Sequence, residues 1–344
     1  MAYMAGQYGG YGMLRFTKRD LYNYVHGQRI TRICDGDAAA TIGYFEGKAN
    51  ADIMTAARYT RTPDNRLGSL FWADGEMMAD YQLFGDVLAF DSMYRSNKYR
   101  KPLVVFSGSN HHKQTSNFEF TGDANRDTDC AVVTWRRIAY KGLRIQNFAR
   151  TTSRCEGINA FIKDFLKSTE SILELVHSLD RVVKDYWNNE VTAQFYSTYY
   201  SLVLTTELDS IELFASKVYT QAVFREVKKQ IKSVATLLFR GRDSISRTCV
   251  YKFSKMGKPN KTHRVLYDSN EEKIECKCSM WNSEGISCNH IFYLMKYEGL
   301  EKIPEGLILS RWCKDAKDWR SKPPPKVQRA IKDACLDMVP FVGR

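Results

Sequence analysis

Residues 276–290 read CKCSMWNSEGISCNH, and this short stretch is the part of the sequence that most clearly indicates how the C-terminal half of the chain folds. It contains two pairs of metal-ligand residue types, Cys276 with Cys278 and Cys288 with His290, each pair separated by one residue. Three thiols and one imidazole are donors that zinc binds in a closed tetrahedron. The spacing therefore predicts one structural zinc ion with four protein ligands and no open position for catalysis.

The sequence around these residues predicts a small ββα unit. Cys276 and Cys278 are expected to point the same way from one strand, because alternate strand residues share a face. Gly285 is expected to supply the unusual backbone conformation of the loop between the pairs. A helix is expected to begin near Cys288. The strands and the helix are predicted at residues 248–253, 262–267, 273–278 and 288–297.

The composition is that of a folded protein with a basic balance. The chain has 344 residues, and its 51 Lys and Arg against 39 Asp and Glu give a net charge of +12. This balance favours polyanionic partners such as nucleic acid, although a basic solvated surface gives the same charge. No secretory signal precedes the nine cysteines, and their spacing matches no disulfide pattern. Both observations indicate a reducing compartment. No run of about 18 apolar residues occurs, so no membrane contact is expected.

The pattern of the remaining sequence changes along the chain. Residues 56–120 favour an antiparallel meander, with a turn at 63–65 and a strand at 81–84. Helical periodicity covers 156–187 and 207–239. Five regions are predicted: 1–53, partly disordered with short helices; 54–150, mainly strands; 151–247, helical; 248–300, the zinc unit; and 301–344, a basic tail, expected to be exposed from residue 311.

Three stretches resemble one protein family. Residues 276–290 resemble the SWIM-type zinc finger. Residues 70–112, LFWADGEMMADYQLFGDVLAFDSMYRSNKYRKPLVVFSGSNHH, resemble the start of a Mutator-like transposase domain, and residues 149–162, ARTTSRCEGINAFI, resemble a later part of it. The combination is similar to the plant far-red-impaired-response and far-red-elongated-hypocotyl family of transposase-derived transcription regulators. The resemblance runs from about residue 16 to 319.

The resemblance implies a nuclear plant protein that regulates transcription in far-red light signalling. It implies an α+β fold: an incomplete ribonuclease-H-like antiparallel sheet at 54–150, a helical middle region and a small ββα SWIM zinc finger. Two parts of the family pattern are expected to be missing. One is the N-terminal DNA-binding domain, and the other is the middle of the transposase domain, where only residues 121–148 stand.

The same resemblance sets the expectation for catalysis. Asp91 matches the first carboxylate of a two-metal site, and Glu156 is a candidate for a late acidic ligand. The second carboxylate would have to be Asp123, Asp127 or Asp129, and none of these has a convincing strand context. We therefore expect a catalytically inactive protein. A residual metal-dependent nuclease or transposase that uses Asp91 is the alternative.

Partners are expected to be DNA, other nuclear proteins or a homologous family member, with no small-molecule substrate. Phosphate contacts by basic side chains give salt-dependent affinity, although a solvated hairpin face accounts for the same pattern more simply. A zinc-finger module for protein interaction is the other alternative function. The nucleic-acid candidates interleave with aromatic residues before the zinc ligands: Lys252, Lys255, Lys258, Lys261 and Arg264.

Overall fold

The described residues fold into a mixed α and β structure with two sheets and two hydrophobic cores. The computed structural model describes residues 36–85, 87–93, 103–122, 147–148, 171–206, 208–245, 247–318 and 339–340, together with residues 16, 17, 19, 20, 23, 24, 27 and 99. The predicted α+β class is confirmed. Among the described residues, no helix combines the length and the apolar character needed to cross a lipid bilayer.

Seven strands form the first sheet, which contains the predicted meander. They are β1 (Ala56–Arg61), β2 (Leu67–Ala73), β3 (Val87–Met93), β4 (Leu103–Ser109), β5 (Thr115–Gly122), β6 (Asn147–Phe148) and β11 (Val339–Pro340). Their order is β11-β1-β2-β5-β4-β3-β6, and neighbours are antiparallel except β6, which runs parallel to β3. The predicted hairpin is confirmed as β1 and β2, whose turn contains Asn65 at a φ of 59°.

Two helices precede and follow the first hairpin: α1 (Asp37–Ala51) and α2 (Gly75–Phe84). The prediction of a strand at 81–84 is wrong, because these residues form the end of α2. The carboxylate of Asp74 accepts a hydrogen bond from the N–H of Met77, and this N-cap starts a helix directly after β2. Met77 then lies on the buried side of that helix.

A 28-residue helix, α3 (Ile172–Tyr199), packs its first half against this sheet. The carboxylate of Asp37 accepts hydrogen bonds from the N–H groups of Ile172 and Leu173 at 2.7 and 3.1 Å. An acidic group at a helix start is stabilised by the helix dipole. The predicted helix is confirmed from Ile172 onward, and residues 156–170 lie outside the described part. The helix residues in this core are Leu175, Val176, Leu179 and Val182.

The first sheet and the helices packed on it form the first unit of the structure. The second unit is built on a four-stranded antiparallel sheet. Its strands are β7 (Leu237–Ile245), β8 (Thr248–Lys255), β9 (Lys258–Asp268) and β10 (Lys273–Cys276), in the order β10-β9-β8-β7. Its helices are α4 (Asp209–Val218), α5 (Gln221–Ser233), α6 (Met280–Glu284) and α7 (Asn289–Glu298). The predicted ββα unit is therefore the C-terminal part of a larger arrangement. The single helical stretch predicted at 207–239 is wrong, because it consists of α4, α5 and the start of β7.

The segment after α7 packs onto both units. Trp312, Cys313 and Ala316 are buried, so the expectation of an exposed tail from residue 311 is wrong for this segment. Nη2 of Arg311 donates to the carbonyl of Ser109 at 2.9 Å, which ties the segment to the first sheet. The boundaries of the five predicted regions stay a prediction.

Candidate metal centre

Four side chains converge at one point beside the second sheet. The ligand atoms of Cys276, Cys278, Cys288 and His290 all lie within 4.8 Å of one another, and Sγ of Cys276 is 3.8 Å from Nδ1 of His290. A tetrahedral zinc ion with bonds of about 2.3 Å to sulfur and about 2.0 Å to nitrogen needs sulfur–nitrogen edges of roughly 3.6 Å. The cluster therefore has both the size and the donor set that fit zinc.

The end of β10 and the turn after it place the first pair. Cys276 is the last residue of β10 and lies opposite Val265 of β9, whereas Cys278 lies beyond the strand. The expectation that strand alternation aligns the two thiols is therefore wrong. Ser279 takes the left-handed conformation, with a φ of 64°, and the N–H of Met280 then bonds to the Cys278 sulfur.

The start of α7 places the second pair. Cys288 is the N-cap residue, and its carbonyl accepts a hydrogen bond from the N–H of Phe292 at 3.2 Å. The N–H of Asn289 donates to Oε1 of Gln230 on α5 at 3.3 Å. The helix start is thus fixed against the core, and His290, one position further on, presents Nδ1 to the thiols.

The three thiols perturb one another because they are close together. Hydrogen bonds from Cys276 and Cys288 lower the pKa of Cys278. The hydrogen bond to Cys278 raises the pKa of Cys276 to about 11, and the bonds to Cys276 and Cys278 raise the pKa of Cys288. The proximity of the three thiols therefore moves their pKa values apart, and a bound cation would favour the thiolate form of all three. Metal binding at such a site displaces the remaining thiol protons.

The surroundings of the ligands are mainly apolar. Ile286 and Ile291 are buried beside the ligands, with 2% and 1% exposure. Trp281 packs against the same core. Sequence reasoning missed His263, whose ring lies 4.4 Å from the ring of His290. Alternation along β9 was the available signal, because it places this residue on the face that buries Val265.

Gly285 has the left-handed conformation that its place in the loop predicts, with a φ of 65°. A Cβ at this position would lie 2.4 Å from Cδ1 of Leu309 and 2.9 Å from Nε1 of Trp312. The same indole N–H donates to the carbonyl of Glu284 at 3.2 Å. The metal loop is therefore packed directly against the segment that follows α7.

Gly285→Ala is expected to lower the free energy of unfolding by about 2–5 kcal/mol, measured by urea denaturation. The left-handed backbone costs about 1–2 kcal/mol for alanine, and overpacking against Trp312 adds about 1–3 kcal/mol. Gly257→Ala is the matched control, because Gly257 has a φ of 78° and open space around it. An equal loss in both variants would contradict the packing contribution.

The predicted nucleic-acid residues lie on β8, β9 and the hairpin between them. Lys252 lies opposite Arg264, and its ammonium is 2.5 Å from Oδ2 of Asp243. Tyr251 and Phe253 are wholly buried, so the expected stripe of alternating basic and aromatic contacts does not form. A nucleic-acid role of the basic residues stays a prediction. Three of them are exposed near the hairpin: Lys255, Lys258 and Lys261.

The candidate catalytic residues are only partly described. Asp91 lies on β3, opposite Val105 of β4. Glu156 and the three candidates for the second carboxylate lie outside the described residues. Within the part of the chain that the structure describes, the cluster at 276–290 is the one group of three or more ligand-type side chains this close together. A catalytic role of Asp91 or Glu156 stays a prediction.

Comparison with known proteins finds relatives over most of the chain. FAR1-RELATED SEQUENCE 5 of Arabidopsis thaliana is 22% identical over 426 residues, which cover 92% of this chain and 53% of that protein. FAR-RED IMPAIRED RESPONSE 1 of the same plant is 19% identical over 423 residues, covering 91% and 51%. FAR1-RELATED SEQUENCE 9 is 23% identical over 377 residues, covering 78% and 68%. The chain is thus similar over most of its length to several members of the FAR1-related family.

The chain spans about half the length of two of these relatives and about two thirds of the third. The alignment with FAR1-RELATED SEQUENCE 5 is longer than the 344-residue chain itself. That relative therefore has residues inside the aligned region that this chain lacks, which agrees with the predicted shortening of the transposase domain. No family model and no solved structure matches the chain.

Proposed function

We propose that this chain is a catalytically inactive nuclear protein that holds one structural zinc ion and regulates transcription through contacts with DNA or other nuclear proteins. The convergence of Cys276, Cys278, Cys288 and His290 carries the proposal. Three thiolates and an imidazole fill all four positions of a zinc tetrahedron, so no position is left for water or substrate. The zinc unit is then a scaffold for binding surfaces.

The zinc ion would hold together parts of the second unit that have little core of their own. Between the two ligand pairs, Ile286 is buried, whereas Asn282 and Ser283 are exposed. A bound ion would tie this loop to β10 and to α7 at once. Folding of the unit would therefore depend on zinc, as in other small metal-organised domains.

The regulatory part of the proposal rests on the relatives and on charge. The name FAR-RED IMPAIRED RESPONSE 1, carried by one relative from a plant, supports a place in far-red light signalling. The net charge of +12 supports contact with a polyanion. Such contact would weaken as salt rises, because it depends on the release of counterions from phosphates.

A residual metal-dependent nuclease is the second candidate, and the order of the first sheet favours it. Strands β3, β4 and β5 form an antiparallel meander, and β6 runs parallel to β3 on its other side. A ribonuclease-H-like sheet has this arrangement, and Asp91 lies on β3. Catalysis by two metal ions also needs further carboxylates close to Asp91. We favour inactivity because the chain lacks residues that its relative has.

The test combines metal analysis and DNA cleavage in one preparation. The purified chain is expected to hold one zinc ion per molecule and to leave duplex DNA intact in magnesium or manganese. Asp91→Asn is expected to behave like the wild type in both measurements. Cleavage that disappears in Asp91→Asn would overturn the inactivity and establish the second candidate. A purified chain without stoichiometric zinc would overturn the scaffold role.

A further inference from the structure

A polar cleft between the two units lies apart from the zinc cluster. It encloses about 600 Å³ between the turn that follows β4, the middle of α3 and the start of α5. Lys113 and Arg225 line it, and among the described residues no Asp or Glu does. The cleft therefore offers positive charge to a ligand.

The first turn of α5 adds backbone donors to the wall of the cleft. Gln221 and Ala222 line it, and the first turn has no acidic residue and no side-chain cap. The hydroxyl of Thr220, the N-cap residue, donates instead to the carbonyl of His111 at 2.7 Å. Oγ of Ser197 accepts the N–H of Gln221 at 3.0 Å. Ser197 thus satisfies the first N–H of the helix, and the partial positive charge of the rest of the first turn, which no acidic residue offsets, attracts phosphate groups.

The two cationic side chains are available to a ligand. Arg225 is exposed and forms no ion pair within the described part of the chain. Lys113 lies 3.5 Å from Oε2 of Glu284, whose side chain is 54% exposed, and 5.4 Å from the ring centre of Trp312. An exposed pair at this distance is weak, so a phosphate group can compete for the ammonium.

Aromatic and amide groups complete the cleft. Tyr186 and Tyr196 of α3 line it, and Tyr196 is 43% exposed. Gln114 also lines the cleft, and its Oε1 is buried with no hydrogen-bond partner among the described residues. A buried acceptor without a donor is costly, and a ligand that donates a hydrogen bond to it would remove that cost. A nucleobase offers both an N–H donor and a face that stacks on tyrosine.

We infer that this cleft binds a nucleotide, with its phosphate at Arg225 and the start of α5 and its base against Tyr196. The inference rests on the proposed DNA contact and deepens it, because it assigns that contact to a site away from the zinc cluster. The cleft is concave and accepts one unpaired nucleotide. That nucleotide is either free or part of a single strand, and both sources share the same phosphate and base chemistry.

Fluorescence anisotropy with labelled single-stranded oligothymidylate tests the assignment over a range of salt concentrations. Arg225→Gln is expected to weaken binding several-fold and to reduce the salt slope by about 0.7, the value of one phosphate contact on a single strand. Tyr196→Ala is expected to weaken binding roughly fivefold or more, through loss of one stacked base. Lys232→Gln is the matched control, because it removes one exposed charge near the far end of α5.

Competition by dTMP separates the two sources. Displacement of the oligonucleotide by dTMP supports a site for a free nucleotide, and resistance to dTMP, together with the losses in Arg225→Gln and Tyr196→Ala, supports a site for a strand. Equal effects of Arg225→Gln and Lys232→Gln, or full affinity in Tyr196→Ala, overturn the cleft assignment and leave the DNA contact intact. A wild-type chain that binds no oligonucleotide overturns the cleft assignment, and salt-dependent binding of duplex DNA then tests the proposed DNA contact on its own. Zinc content, measured for every variant, confirms that each one is folded.

Discussion

Cys278→Ser is expected to release the zinc ion and to unfold the unit around the second sheet. Structural zinc contributes an apparent free energy of about 10–16 kcal/mol at neutral pH, whereas a typical domain is stable by only about 5–15 kcal/mol. Without the Cys278 thiolate, three ligands remain, and a serine hydroxyl is a poor zinc ligand. Metal analysis should find far less than one zinc ion per chain. The fluorescence of Trp281 and Trp312, which pack in this core, should report the unfolding.

Cys249→Ser is the matched control for this loss. Cys249 lies on β8 in the same unit, outside the metal cluster, and its Sγ accepts a hydrogen bond from Nη2 of Arg242 at 3.0 Å. A serine hydroxyl accepts the same bond, so this variant should keep its zinc and its melting temperature. A chelator added to the wild type should reproduce the effect of Cys278→Ser. If Cys278→Ser retains zinc and melts like Cys249→Ser, the ligand assignment is wrong.

The metal cluster could be predicted because its information is local. Cys276 and His290 are 14 positions apart, and two such pairs of ligand-type residues rarely fall this close together by chance. How the backbone brings the four ligand side chains together could not be predicted from the sequence. Strand alternation does not align the first pair, since Cys278 lies in a turn and Ser279 takes a left-handed conformation. Residue type and spacing therefore identify the ligands. The positions of the ligands depend on backbone angles, which residue type and spacing do not determine.

The misassigned elements depended on contacts that are distant in sequence. Residues 237–239, Leu-Leu-Phe, follow a helical pattern without Gly or Pro, and their pairing with β8 makes them a strand. The short apolar run at 81–84 is compatible with the period of a helix and with that of a strand, and the N-cap at Asp74 favours the helix. The burial of the segment after α7 could not be predicted from the sequence either. It depends on partners from α2 and α3 that only the folded chain brings together.

Lys317 shows most directly that the segment after α7 depends on partners that are distant in sequence. Its Nζ lies 2.5 Å from Oδ1 of Asp80 on α2 and also contacts Oε1 of Glu190 on α3. Both carboxylates are nearly inaccessible, at 4% and 7% exposure. Ser116 donates a hydrogen bond to the other oxygen of Asp80, and Nδ1 of His111 lies 3.7 Å from Glu190. The ammonium therefore balances two buried negative charges.

Lys317→Met is expected to destabilise the protein by about 3–5 kcal/mol, because it keeps the aliphatic stem and leaves buried carboxylates without their cation. Urea denaturation at neutral pH measures the loss. Lys229→Met is the control, since Lys229 pairs with Glu226 on the surface of α5 at 2.8 Å, and such a pair contributes about 0–1 kcal/mol. Adding Asp80→Asn and Glu190→Gln to Lys317→Met should recover most of the lost stability.

The pH dependence gives a second, independent measure of the same contact. Burial alone would lower the pKa of Lys317, but the carboxylates of Asp80 and Glu190 outweigh it and raise that pKa above its usual 10.5. A raised pKa in the folded state means that the stabilisation is complete below pH 10.5 and is lost as pH rises through the folded-state value. The wild type should therefore approach Lys317→Met in stability in alkali, and again in acid, where the Asp80 carboxylate, whose pKa burial raises, takes up a proton. A variant as stable as the wild type at neutral pH would show that the ammonium is solvated, and the segment after α7 would then be held by Trp312 and its apolar neighbours alone.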